Sequence, residues 1–197
     1  MEQAVARVKE ALRCGELRRA DLTARKLGSF LGKTTSVLYH HWGSLDGFLH
    51  AVMNSAMVDL AGRIDPAAPI EDLAVTYVEF ALEAPVLYEL MFSRELDWST
   101  LRESHATENS PGLLMFHALA ARMEFEGSDS PADDARILYA GLHGLATLAI
   151  TGRINVGEIE TSDREVALRA ARRLVRHVLA TRPETPSTAP KTETQAP

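Results

Sequence analysis

The groups best suited to meeting a polyanion are concentrated in residues 22–42, LTARKLGSFLGKTTSVLYHHW. Two short amphipathic stretches flank Gly32, and Lys33, Thr34, Thr35 and Ser36 open the second. Short hydroxyl side chains at a helix start can reach base edges in a DNA major groove, and free backbone N–H groups at a positive dipole end favour phosphate. Lys33, Tyr39 and His40 are placed to meet phosphate oxygens, contacts that fix register without reading sequence. Gly28 lies four residues before Gly32, where one helix would cross the other and a larger side chain would obstruct; Leu38 points back to a core. The pattern fits a helix-turn-helix whose second helix enters the groove. It also fits an ordinary αα-hairpin with a glycine turn.

A second set of residues could hold a small molecule. Phe80, Tyr88, Met91, Phe92, Phe116, Met123 and Tyr139 recur on helical faces, and methionine and aromatic side chains make adaptable pocket walls. In a plain helix bundle the same stripe is core. His143 joins this candidate set, although a satisfied interior or interface histidine is the simpler reading. The adjacent pair His40 and His41 projects in different directions from a helix and has no third ligand at suitable spacing, so no metal and no cofactor is expected. There is no glycine-rich phosphate loop, G-x-S-x-G, H-E-x-x-H or spaced cysteine pair, so the chain is not read as an enzyme.

The elements that must position these residues are helices. Of 197 residues, 46% are hydrophobic and 24% charged, the balance of a soluble globule. Only 6% are aromatic and β-branched alternation is sparse, against an all-β fold. One cysteine, Cys14, excludes a disulfide framework and suits a reducing cytoplasm. The longest uncharged apolar run, residues 137–151, falls short of the roughly 20 that a membrane span needs. MEQAVARVKEALR reads as an amphipathic helix rather than a signal peptide.

Apolar periodicity predicts helices over the first dozen residues, from Leu22 to Gly32, from Thr34 to Trp42, and from an N-cap at Ser44 to before Asp65 and Pro66. Further helices are expected from Ile70 to about Ala84, after Pro85, from Pro111 to near Gly127, from Pro131 to about Arg153, and from Asp163 onward. Residues 97–110 read as a loop with a turn or two of helix, and 183–197 as a disordered tail. The expected organisation is all-α: residues 1–64 as one domain, 65–182 as a second helical domain, then the tail. Net charge is −6 overall, but residues 1–64 carry +3 and the remainder −9. A basic end on an acidic body suits a molecule that meets phosphates at one end.

LTARKLGSFLGKTTSVLYHHWGSLDGFLHAV resembles the amino-terminal domain of the TetR-type (tetracycline-repressor-like) transcriptional regulators. Thr23, Leu27 and Gly28 match the family's helix 2, Gly32 its turn, and Leu38, Tyr39, His41 and Trp42 its recognition helix and exit. The resemblance implies that Thr34, Thr35, Ser36 and His40 face bases or nearby phosphates, Tyr39 a phosphate, and Thr23 the backbone. The chain departs from the pattern at Lys33, where the family usually has an apolar residue, and at Leu45, where it usually has a lysine. ALEAPVLYELMF and LYAGLHGLATLAITGRI are similar to the ligand-binding domain of a subgroup with a His-Gly pair, here His143 and Gly144. The family implies a homodimer through the last two long helices, with Ala140, Gly144, Leu148, Ala170, Leu174 and Val178 at the interface. It also implies a near-palindromic operator on double-stranded DNA, a small apolar effector and a repressor's role, with no membrane partner. The alternatives are a helical binding bundle that no longer binds DNA, or an enzyme without a recognisable motif.

Overall fold

A computed structural model describes residues 2–65, 67–92, 111–157 and 161–180. Among these residues there are helices and turns and no strand, so the all-α expectation holds. The helices are α1 (Glu2–Arg13), α2 (Ala24–Leu31), α3 (Thr35–Trp42), α4 (Leu45–Arg63), α5 (Ile70–Glu83), α6 (Pro85–Met91), α7 (Pro111–Phe125), α8 (Pro131–Ile150) and α9 (Asp163–Ala180). A 3-10 turn, Arg19–Asp21, precedes α2. The expected loop at 97–110 and the tail at 183–197 lie outside the described residues. No helix among the described residues is long and apolar enough to cross a membrane.

Local chemistry explains the boundaries. Thr23 caps α2 by accepting the Lys26 N–H at 3.3 Å. Gly32, at φ 64°, ends the helix in the left-handed region. There the Lys33 N–H donates to the Gly28 carbonyl at 2.8 Å and the Gly32 N–H to the Ser29 carbonyl at 3.1 Å, closing a Schellman turn. Ser44 caps α4 by accepting the Gly47 N–H at 2.9 Å. Pro85 begins α6 at the first helical position, where its missing N–H costs nothing. The helix from Pro131 stops at Ile150, short of Arg153, because Gly152 (φ 65°) turns the chain and the Arg153 N–H reaches back to the Leu148 carbonyl at 2.8 Å.

Val8, Leu12, Leu27, Leu38, Phe48 and Val52 are buried together where α1 to α4 meet. The edge of Trp42 meets Phe48 at 4.7 Å between ring centres and closes this core where α3 passes into α4. In the second part α5, α8 and α9 pack on one another, α7 lies across α8 and α4, and α6 sits against α5, α4 and α1. One hydrophobic core runs through both parts. His50, which the periodicity did not mark, is buried on α4 with its Nδ1 3.2 Å from the Asn54 amide nitrogen.

Two helix crossings leave no room for a side chain. A Cβ on Gly28 would stand 3.0 Å from the Lys33 carbonyl oxygen, and one on Gly47 would stand 2.2 Å from that of Trp42. Both neighbours are backbone, which cannot rotate away. Gly62 has open space around its missing Cβ. Gly47→Ala should therefore cost about 1–3 kcal/mol in urea denaturation, whereas Gly62→Ala should be neutral or stabilising by up to about 1 kcal/mol. Equal effects of the two changes would contradict the close α3–α4 approach.

Candidate functional site

The crossings hold α3 with one face inward and one face open. Leu38 is buried, Val37 and Trp42 are half-buried, and Lys33, Thr34, Ser36, Tyr39 and His40 are exposed. Thr35 is half-buried, so of the three hydroxyl residues Thr34 and Ser36 are the more accessible. Thr34 occupies the N-cap position of α3 but its side chain makes no cap bond, leaving the hydroxyl uncommitted. The Val37 N–H donates to the Thr34 carbonyl at 3.1 Å. The N–H groups of Thr35 and Ser36 precede it at the helix start, where no intrahelical carbonyl is available. Thr23 is exposed one helix away, its hydroxyl partly engaged by the Lys26 N–H. Lys26 is tied to Asp21 at 2.7 Å and to the Ala20 carbonyl at 3.1 Å. Behind this surface Arg7 of α1 lies 4.7 Å above the Phe30 ring and fastens α1 to α2. Among the described residues no cluster of three or more His, Cys, Asp or Glu side chains is arranged for a metal ion.

The second candidate site is a cavity of about 430 Å³ enclosed by α4, α5, α7 and α8, within the range of small-molecule sites. Of the expected wall residues, Phe92, Phe116 and Tyr139 line it. Phe80, Tyr88, Met91 and Met123 do not: each is buried within the helix packing behind the wall. Phe80 lies under the Arg63 guanidinium, 5.3 Å from its ring centre. His143 also stands off the wall, with its ring 4.4 Å from that of Phe92. Tyr77, Leu73 and Ile70 of α5, Met57 and Leu60 of α4 and Ile64 just after it also line the cavity, although they are not among the expected wall residues. On the sequence these are ordinary core positions, and only the assembled helices reveal the gap between them. Tyr77 alone carried a signal: a phenol on an apolar stripe needs a partner for its hydroxyl.

That partner begins a buried polar chain. The Tyr77 and Tyr88 hydroxyls are 2.9 Å apart, and the Tyr88 hydroxyl is 2.8 Å from Nδ1 of His143. Burial pushes the Tyr77 phenol far above the usual tyrosine range, reinforced by the neighbouring Tyr88. Burial also raises Tyr88, against a smaller lowering by its bond to Tyr77. Burial raises Tyr139 and lowers His143 below the ordinary histidine value. All four groups are therefore neutral near pH 7. Arg122, also on the wall, has its guanidinium 3.0 Å from the Glu126 carboxylate.

The expected interface residues separate into two groups. Ala140 and Leu148 of α8 are exposed, and Ile137, on the same face, is 55% exposed. Gly144, on that face, has open space about its missing Cβ. Gly141 is different: a Cβ there would stand 2.4 Å from Cδ2 of Leu174, so its small size serves α8–α9 packing within one chain. Ala170 and Leu174 are half-buried on α9. Val178 is buried in the chain's own core.

The family described as tetracyclin repressor-like, C-terminal domain, matches residues 70–178, more than half of the chain. No curated protein matches it.

Because burial holds His143 below its ordinary value of 6.5, the unfolded chain takes up this proton more readily than the folded one. The stability that goes with a neutral His143 is present above that pH and is lost as pH falls below it. Urea midpoints at pH 7.5 and about 5.5 should fall further for the natural chain than for His143→Gln. An equal fall in both would contradict the buried, neutral imidazole.

Proposed function

The chain belongs to the tetracyclin repressor-like family, and on that footing we propose that it is a DNA-binding repressor released by a small, largely apolar ligand. Residues 1–64 form the DNA-binding unit in this reading, and the helices from residue 65 form the effector and dimerisation unit. The observation that carries it is the open face of α3, where Thr34 and Ser36 are exposed and the Thr34 hydroxyl makes no cap bond. Lys33, Tyr39 and His40, on the same exposed surface, supply phosphate contacts, and Thr23 adds one from the start of α2. Thr35, half-buried, contributes through its backbone N–H more than through its hydroxyl.

Two copies would place two α3 helices in successive major grooves, so the operator is a near-palindrome. The apolar stripe on α8 through the exposed Ile137, Ala140 and Leu148 and the half-buried Gly144, flanked by Ala170 and Leu174, supports a dimer through α8 and α9. The apolar cavity supports the effector site. Met57 and Leu60 on its wall belong to the helix that also carries Phe48 and Val52 in the amino-terminal core, and Ile64 follows directly after it. A ligand can shift DNA affinity only by as much as its own affinity differs between the two states.

Selection of bound duplexes from a random pool provides the test. Tyr39→Ala and Lys33→Ala should weaken binding to all selected duplexes alike, and Lys33→Ala should reduce the salt dependence by about one phosphate contact per subunit. Ser36→Ala should instead change the preferred base at one position in each half-site, by about 1–3 kcal/mol. Unchanged binding in all three variants would remove α3 as the reading helix. In sedimentation, Gly144→Glu should give monomers; a persistent dimer would place the interface elsewhere.

A further inference from the structure

The cavity has a polar pole at Tyr77 whose hydrogen-bonding direction is set from behind the wall. Among the described residues its polar lining side chains are Tyr77, Tyr139 and Arg122. One terminal nitrogen of the Arg122 guanidinium meets Glu126 at 3.0 Å, and its Nε is buried without a hydrogen-bond acceptor among the described residues. Tyr77 is the end of the chain that runs through Tyr88 to His143 Nδ1, at 2.9 and 2.8 Å. In such a chain each hydroxyl gives one proton, so the choice at one end fixes the other. The imidazole nitrogen is a far more basic acceptor than a phenol oxygen. With His143 assigned as the Nε2–H tautomer, so that Nδ1 accepts, the Tyr88 O–H donates to His143 and the Tyr77 O–H donates to Tyr88. The Tyr77 oxygen is then left able only to accept.

From this arrangement we infer that the cavity takes an uncharged, mostly apolar molecule bearing one hydroxyl or N–H group, whose proton is given to Tyr77. This rests on the cavity being the effector site. Tyr139 stands beside Tyr77, with ring centres 6.3 Å apart and its edge toward the other ring. Its hydroxyl is available to return a hydrogen bond to the ligand oxygen. A carboxylate meets an acceptor at Tyr77 and loses its hydration among Ile70, Leu73 and Phe116. An alkylammonium loses hydration equally and finds one acceptor for its three protons. A ketone or an ether offers Tyr77 no proton. Volume favours a molecule larger than a solvent additive, since about 430 Å³ lies in the usual range for small ligands.

The test uses the full chain without DNA and four probes of one length: octan-1-ol, heptyl methyl ether, octanoate and octylammonium. In calorimetric titration octan-1-ol should bind about tenfold or more tightly than the other three. Tyr77→Phe should bring the alcohol down to the ether and leave the ether unchanged. His143→Leu frees the Tyr88 O–H to donate toward Tyr77, which releases the Tyr77 O–H for the ligand, so the alcohol–ether gap should close by strengthening the ether. A merely structural role for His143 would weaken both probes together. Equal binding of alcohol and ether to the natural chain overturns the inference. So does tightest binding by octanoate, lost in Arg122→Gln, which would leave the cavity as a ligand site anchored by Arg122. Failure of all four probes overturns it as well. Duplex binding is scored in a separate titration, so a chain that takes octan-1-ol but ignores DNA sinks the regulator reading and leaves this inference standing.

Discussion

The arrangement depends on two places where helices touch backbone to backbone. At Gly28 a methyl group would stand 3.0 Å from the Lys33 carbonyl, and at Gly47 one would stand 2.2 Å from the Trp42 carbonyl. These contacts clamp α3 at both ends, before its first turn and after its last. A helix of eight residues is too short to hold its own conformation in water. It persists because Leu38 is buried, Trp42 packs on Phe48, and the glycines let α2 and α4 come close enough to enclose them. What remains outward is a short polar face of fixed orientation, and a groove-reading element requires just that.

The same α4 that receives α3 also forms part of the cavity. Its early residues, Phe48 and Val52, lie in the amino-terminal core, and its late residues, Met57 and Leu60, lie on the cavity wall with Ile64 just beyond its end. Around this junction Lys9 of α1 meets Asp59 at 2.5 Å, and Arg63 meets Glu83 of α5 at 2.7 Å. Both pairs are partly exposed and contribute little stability on their own. The junction is held mainly by the apolar core that runs through it.

Most of the fold was legible because its signals are local. Ser44, Pro85, Pro111 and Pro131 mark helix starts through capping and fixed φ, and Gly32 marks a helix end. The helix from Pro131 stops a few residues before Arg153 at the turn on Gly152, which nothing in the apolar period announces. The face of α3 was legible in part: Ser36 falls opposite Leu38, whereas Thr35, three residues before Leu38, shares its side and is half-buried. The cavity was legible only in part. Phe92, Phe116 and Tyr139 were found from residue type, but type cannot separate a wall residue from Phe80 or Met123 one layer behind it. Gly141 and Gly144 look alike in sequence, yet one receives Leu174 of its own chain and the other faces open space. Such distinctions depend on contacts between residues far apart in the chain, which helical periodicity does not encode.

The central claim is that α3 is presented twice to one face of a duplex. Hydroxyl-radical footprinting of the full chain on a selected duplex at low ionic strength tests it most directly. The account predicts two equivalent protected segments related by a two-fold axis, about one helical turn apart. A single protected segment, or a duplex left uniformly cleaved, would contradict it.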